Sequence, residues 1–350
     1  MRKIKLSLNR VDYNSLSLIA GNVASLYKEG IPVLTMIDLL VELPVNKSYK
    51  ESLMGIKKSI IDGKALSDSF NEFDFLYPEF FIGMVSMGEN SGSLQEVMEG
   101  LEHYYGKMRF LKSTIKNALS YPSLVFLSVI TLFVFIVFVT VPNLYEFYIN
   151  LNIPIPFLCR FVYELVNYIE DNKVLSLIYF ISWGIGVPFI LFKFYLRNLI
   201  KLLFSKITII KEFNEFVFIS LLSLIVKSGV NLSNGLIYSS TSFKSSNLKE
   251  RFLILNSSIL KGESISESLR NQGDYSNYTR AIIRLGEESG SMDERLKELS
   301  SYLERKLLSN IDKHIAILQP ASILIMGGFV IIFLMIFIVP LFGSLLDGGI

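Results

Sequence analysis

Three runs of this chain, Ser123 to Val141, Val174 to Phe192 and Ala321 to Val339, contain no charged side chain and no histidine. Each is about 19 residues long, which at 1.5 Å per residue just spans a hydrocarbon core of about 30 Å. Such runs make a membrane protein the first expectation, and composition agrees: 51% of residues are hydrophobic and only 19% charged, where soluble domains carry about a quarter. Tyr121 precedes the first run, and Tyr145 and Tyr148 follow it, at the depth that amphipathic rings prefer. The basic start, Met-Arg-Lys-Ile-Lys, is followed by Asn9, Arg10, Asp12 and Asn14. These polar residues interrupt the apolar run that a cleaved secretory leader requires, so none is expected.

Charge sets the orientation. Lys107, Arg109, Lys112 and Lys116 precede the first run, and Lys193, Arg197, Lys201, Lys206 and Lys211 follow the second. Positive flanks stay in the cytoplasm. Between them, the segment from Pro142 to Lys173 holds only Arg160 and Lys173, and the tail after Pro340 holds neither type. The spacing predicts a cytoplasmic N-terminus and an extracytoplasmic C-terminus. Overall, 34 basic and 32 acidic residues nearly cancel to +2, which removes the footprint of a nucleic-acid binder. One cysteine, Cys159, and two histidines, His103 and His314, cannot build a disulfide framework, a four-ligand zinc site of cysteine and histidine, or a redox pair. No metal and no cofactor are expected.

The chain also repeats itself. Gly88-Glu-Asn-Ser-Gly-Ser-Leu returns as Gly286-Glu-Glu-Ser-Gly-Ser-Met, an offset of 198 (286 minus 88) that also carries Glu96 to Glu294, Tyr104 to Tyr302, Pro122 to Pro320 and Pro142 to Pro340. Upstream an offset of 199 relates Lys28 to Lys227, Gly30 to Gly229 and Gly63 to Gly262, so one residue is missing between Gly262 and Gly286. Landmarks held over this length define two homologous units, each a soluble part followed by a span. Within each unit the period is helical. Leu16, Ile19, Ala20, Val23, Leu26 and Tyr27 recur at steps of three and four, as do Phe218, Ile219, Leu222, Ile225 and Val226, an apolar stripe along one face. Gly30 and Gly229 suit left-handed ends for these helices, with Pro32 and Asn231 starting the next. No window shows sustained strand alternation. The spacing therefore predicts all-α bundles of about 100 residues each.

The repeated string reads as a corner between helices. Gly88, Gly92, Gly286 and Gly290 supply permissive backbone; Ser91, Ser93, Ser289 and Ser291 surround the turn. Ser93 and Ser291 are placed as N-caps, with Glu96 and Glu294 three residues on to complete capping boxes. Glu89, Asn90, Glu287 and Glu288 are spare in that scheme. Exposed at a loop tip, they are either solvated charges or contacts to a partner.

Other motifs carry less. Gly100 to Gly106-Lys107 has five intervening residues where a phosphate loop has four, and Met108 stands where Ser or Thr must reach magnesium. His103 and His314 fall on Ser301 and Lys116 in the opposite copy, which suits surface tips better than a catalytic base. Gly184-Ile-Gly186-Val-Pro188 beside Trp183 reads as a kink in the second span. Without intramembrane charges the spans lack the marks of proton relays and ion paths. No catalytic residue is identified.

Two helical repeats, a Gly-Glu-x-Ser-Gly-Ser corner in each, a proline at the start of the first and third spans and Val-Pro at their ends resemble the type II secretion system F family, from about Tyr13 to Pro340. The resemblance implies a non-enzymatic inner-membrane platform of a type IV pilus or secretion machine. Its implied partners are a hexameric cytoplasmic assembly ATPase, pilin or pseudopilin subunits and other inner-membrane assembly proteins, and it implies a homo-oligomer. Only about a dozen residues precede Tyr13, fewer than the leader of many members.

The combined expectation is an all-α membrane protein with two homologous cytoplasmic bundles and three spans. Residues 1–12 form a leader, 13–120 the first bundle, 121–142 a span, 143–173 an outer segment and 174–192 a second span. Residues 193–211 form a basic segment, 212–318 the second bundle, 319–340 a third span and 341–350 an outer tail. The span limits are Pro122, Pro142, Pro320 and Pro340. A membrane scaffold or transporter component unrelated to filaments is the competing reading; basic flanks would serve a lipid-surface scaffold, whereas carriers repeat whole groups of spans. A phosphatase reporter fused just after Pro142 is expected to be active outside the cytoplasm; an inactive fusion there, with an active one after Lys211, would reverse the orientation.

Overall fold

The computed structural model describes residues 11–151, 153–171, 208–243, 246–273 and 275–347. The second charge-free run, with Trp183 and the Gly184 to Pro188 kink, lies outside the described residues, as does most of the basic segment after it. Copy one comprises α1 (Tyr13–Lys28), α2 (Val33–Glu42), α3 (Lys47–Ile61), α4 (Leu66–Asn71), α5 (Glu79–Ser91) and α6 (Leu94–Phe135). A π-helical turn (Ile136–Thr140), α7 (Val141–Asn150) and α8 (Phe157–Asp171) follow. Copy two comprises α9 (Thr208–Lys227), α10 (Leu232–Thr241), α11 (Ser246–Leu260), α12 (Ile265–Gln272), α13 (Asn277–Ser289) and α14 (Met292–Phe333), then a second π turn (Leu334–Ile338) and α15 (Val339–Asp347). There is no strand among the described residues.

The duplication is reproduced helix by helix. Both ends of α2 and α3 map onto α10 and α11 with the offset of 199, and both ends of α5, α6 and the π turn map with 198. The missing residue falls between the starts of the fourth and fifth helices: α12 is two residues longer than α4, and the connection after it, 273–276, is three residues shorter than 72–78. The predicted stripe of α1 is its core face: Leu16, Ile19, Ala20 and Val23 are buried. The helix ends at Gly30, whose φ of 73° favours glycine, and the Ile31 amide donates to the Leu26 carbonyl at 3.0 Å, closing a Schellman turn. In copy two the Asn231 side chain accepts from the Asn234 amide, doing by hydrogen bond what Pro32 does by its fixed φ.

The chain divides into two compact units, 11–114 with 208–309, and 115–171 with 310–347. In the first, the copies share one interior. Copy one stacks Tyr49, Phe70, Tyr77 and Phe81 edge to face, and the Tyr49 hydroxyl donates to the Leu76 carbonyl at 2.9 Å. Its burial raises the Tyr49 phenol to about 12. Copy two uses Phe218, Phe252 and Tyr275. The copies meet where small residues admit large ones: Gly83 of α5 lies against the Tyr238 ring of α10, and Gly100 of α6 lies against Leu224 of α9. Alongside, the buried Lys107 ammonium of α6 reaches Glu304 of α14 at 3.0 Å and donates to Ser300 at 3.1 Å. The Ser300 hydroxyl is 2.8 Å from that of Ser220. Burial lowers the Lys107 pKa, and the Glu304 carboxylate opposes the fall.

The second unit holds the two described apolar runs. At Pro122 and Pro320, the expected starts of the spans, the helices continue: α6 and α14 run unbroken for 42 residues through both prolines. Proline forfeits one backbone bond and bends a helix without ending it when the surrounding turns persist; here the Ser123 hydroxyl bonds the Leu119 carbonyl in the adjacent turn. Two helices of the described chain, within Leu94–Asn150 and Met292–Gly343, are long and apolar enough to cross a membrane. Their large apolar side chains face outward, Phe126 being 67% and Leu324 75% exposed, as suits a hydrocarbon surround. The expected outer tail is helical as far as Asp347. Before each Val-Pro the helix widens: the Val141 amide donates to Ile136 and the Val339 amide to Leu334, five residues back. The widened turns precede Pro142 and Pro340, which have no amide hydrogen to give. Tyr148, buried with Val141, Cys159 and Leu341, donates its hydroxyl to the Phe337 carbonyl in the second π turn at 3.1 Å.

A side chain at position 83 must displace the Tyr238 ring, since a Cβ there would stand 2.3 Å from it. Gly83→Val is expected to destabilise the chain by about 1–3 kcal/mol, with Tyr238→Ala recovering part of the loss in a double-mutant cycle followed by thermal unfolding.

Candidate functional site

The duplicated corner is the feature with the most repeated chemistry, and each of its residues has a defined task. Gly88 lets α5 and α6 approach: a Cβ there would be 3.0 Å from Val97 and 3.1 Å from the Leu94 backbone. Gly286 does the same in copy two, with contacts of 3.3 Å to Met292 and Arg295. Gly92 and Gly290 end α5 and α13 in the left-handed region, with φ of 74° and 69°, where a side chain costs about 1–2 kcal/mol. Ser91 donates back to the Met87 carbonyl at 2.7 Å, and its hydroxyl lies 2.7 Å from that of Ser93. Ser289 and Ser291 repeat the arrangement with the Leu285 carbonyl.

Two expectations change here. Ser93 and Ser291 stand directly before α6 and α14, but the predicted capping boxes with Glu96 and Glu294 do not form among the described hydrogen bonds. Their hydroxyls turn back to the preceding serines, which are already anchored to the end of the previous helix. Glu89 and Glu287, taken from sequence as spare, are engaged. The Glu89 carboxylate accepts from the Leu66 amide at 2.8 Å, the Ser67 amide at 3.1 Å and the Ser67 hydroxyl at 2.8 Å. Glu287 accepts from the Ile265 and Ser266 amides at 2.6 and 3.2 Å. These are the first amides of α4 and α12, so each carboxylate caps a helix it does not belong to. Opposite charge at a positive helix end adds to the hydrogen bonds.

The need differs between copies. The N-cap of α4 is Ala65, which has no side-chain acceptor. The N-cap of α12 is Ser264, which takes the Glu267 amide at 3.1 Å while Glu287 takes the other two. The signal was present in sequence, because Ser67 and Ser266 are repeated along with Glu89 and Glu287; a long-range cap cannot be read without knowing that the chain folds back. Asn90 and Glu288 remain exposed at the corner. Asn90 contacts Ser86 at 3.5 Å, and Glu288 pairs with Arg284 at 2.7 Å on its own helix.

A corner of this design fixes three consecutive helices of each copy and leaves a polar tip outside. The geometry defines a class: an all-helical chain with apolar helices fit to cross a membrane, carrying a duplicated, carboxylate-stapled helical unit. The family described as Type II secretion system (T2SS), protein F matches residues 19–142 and again 218–340, one match for each copy, and the chain belongs to that family. Among its relatives, the type II secretion system protein F of Vibrio cholerae is 22% identical over 332 residues, covering 93% of this chain and 81% of the relative. The type IV pilus assembly protein PilC of Pseudomonas aeruginosa is 23% identical over 343 residues, covering 93% and 90%. PilC of Thermus thermophilus is 21% identical, covering 93% and 82%.

Glu89→Ala removes every side-chain acceptor at the start of α4 and is expected to cost about 1–2 kcal/mol. Glu287→Ala is expected to cost less, because Ser264 remains. Thermal unfolding of the two variants measures the difference; equal losses would show that the caps are not the source.

Proposed function

We propose that this chain is a non-enzymatic platform in the inner membrane of a type IV pilus or type II secretion machine. In this reading it couples a hexameric cytoplasmic assembly ATPase to the insertion of pilin or pseudopilin subunits into a filament. The observation that carries the proposal is membership of a family matched once per copy, combined with relatives named for secretion and for pilus assembly. The fold supports it: the chain offers two copies of a stapled helical unit and two long apolar helices, a construction suited to docking. The proposed topology has three spans, the second over 174–192, with the N-terminus and both repeated bundles in the cytoplasm and the C-terminus outside. A homo-oligomer is part of the proposal.

With Glu89 and Glu287 engaged in capping, Asn90 and Glu288 are the corner residues proposed to touch a partner. The test is affinity capture of the tagged chain from detergent-solubilised membranes. Recovery of the assembly ATPase and pilin is expected, with ATPase recovery falling several-fold for Asn90→Arg plus Glu288→Arg while helix content and melting temperature hold. Recovery of neither partner by the unaltered chain overturns the platform reading; undiminished recovery by the variant removes these two residues from the contact.

A further inference from the structure

A cleft of about 1000 Å³ opens between the copies, walled by α1 and α6 on one side and by α9 and α14 on the other. These are the equivalent helices of the repeat, so the cleft is bounded by the same pair twice, and the duplication can be used to ask where its chemistry is unbalanced. Lys107 corresponds to Arg305 (305 minus 198), and Glu304, which neutralises Lys107, corresponds to Gly106. On one side the cation therefore has its carboxylate. On the other side the carboxylate's place is taken by a glycine, around which a Cβ would meet only the Ser17 hydroxyl at 3.5 Å.

Arg305 has no ion pair among the described residues, and its surroundings do not supply one. Lys28 and Lys227, equivalents at the offset of 199, face the same cleft with Lys297. All four cations are exposed, and none is ion-paired among the described residues. Glu99, which accepts from Gln95 at 3.0 Å, and Glu102, which lies over Gly21, also line the cleft; with Glu304 they offset three of its six cations, Lys28, Lys107, Arg109, Lys227, Lys297 and Arg305, and leave the excess positive. The wall hydroxyls of Ser17, Ser220 and Ser300 are already engaged, Ser17 donating to the Glu102 carbonyl at 3.3 Å and Ser220 bonded to Ser300 at 2.8 Å, so the exposed cations carry the chemistry of the cleft. His103, in the same wall, is held below the ordinary imidazole value by burial first and then by the positive charge of Lys107.

We propose that this cleft binds a phosphate-bearing small molecule, whose negative charge stands where the repeat lacks a second glutamate and engages Arg305, Lys227, Lys28 and Lys297. Phosphate fits better than a carboxylate because several cations from four different helices face one space, the pattern that a multiply charged oxyanion satisfies. The inference is independent of the filament reading, since it uses only the asymmetry between the copies.

The experiment is isothermal titration of the full chain in phosphatidylcholine nanodiscs with inorganic tripolyphosphate, magnesium-free ATP and dihexanoyl phosphatidylglycerol as separate probes. Saturable binding of at least one probe, near one per chain, is expected. Lys227→Gln plus Arg305→Gln is expected to weaken it at least tenfold, and Arg280→Gln plus Arg284→Gln, outside the cleft, to leave it unchanged. Preference for tripolyphosphate or ATP identifies a soluble source, and preference for the lipid a headgroup. Lys28→Gln alone, at an exposed unpaired position, is expected to retain the fold and weaken binding several-fold, which keeps the test decisive if the double variant unfolds. No saturable binding by any probe, binding insensitive to these variants, or variant-sensitive binding of an acidic peptide alone would overturn the proposal.

Discussion

The first compact unit of this protein depends on a carboxylate that reaches out of its own helix. In each copy a glutamate near the end of the fifth helix closes the exposed amides at the start of the fourth. A six-residue helix such as α4 has almost no stability of its own, since helix nucleation is costly and its turns are few. Anchoring it from outside fixes the path of the chain between the third and fifth helices, and the glycine turn beside the glutamate then sets the direction of the long sixth helix. Packing between the copies builds on helices placed in this way.

Duplication gives the two copies the same skeleton but not the same interior. Where copy one sets Gly21 under Glu102, copy two sets Ser220 against Ser300 at the equivalent positions. Copy two sets Glu304 against Lys107, whereas copy one has Gly106 at the position equivalent to Glu304. The backbone arrangement tolerates these exchanges because the small residues keep the helix spacing while the polar groups rearrange. Among the described residues the interface is consequently held by the Lys107–Glu304 ion pair with its hydroxyl neighbours, and by apolar contacts at Gly83 and Gly100. A buried pair of this kind adds little net stability but makes other registers expensive, because each would strand a charge.

Much of the architecture was legible in sequence for reasons that can be named. The apolar stripe of α1 and the glycine at its end both act within one or two turns, so local pattern predicts them. The repeat offset located equivalent helices to the residue, and the missing residue fell between the starts of the fourth and fifth helices, where the connection takes up the difference. The engagement of Glu89 was not legible, because its partners lie 22 and 23 positions away and nothing local distinguishes an engaged carboxylate from a solvated one. The continuity of α6 through Pro122 is not legible for a related reason. Proline is read as a boundary, but a long helix with satisfied neighbouring turns absorbs the lost bond.

The paired π turns bear on how the end of each copy is aimed. An α-helix advances about 100° per residue, so a turn that accommodates one additional residue shifts the angular phase of everything beyond it by about that amount. Tyr148 lies beyond the first such turn and finds its acceptor in the second. An apolar pattern followed straight through Ile136–Thr140 would assign α7 the wrong side, and the two Val-Pro steps mark where that phase is reset. The facing of α7 and α15 is therefore set by the length of one turn, separately from the pattern of the helices that lead into them.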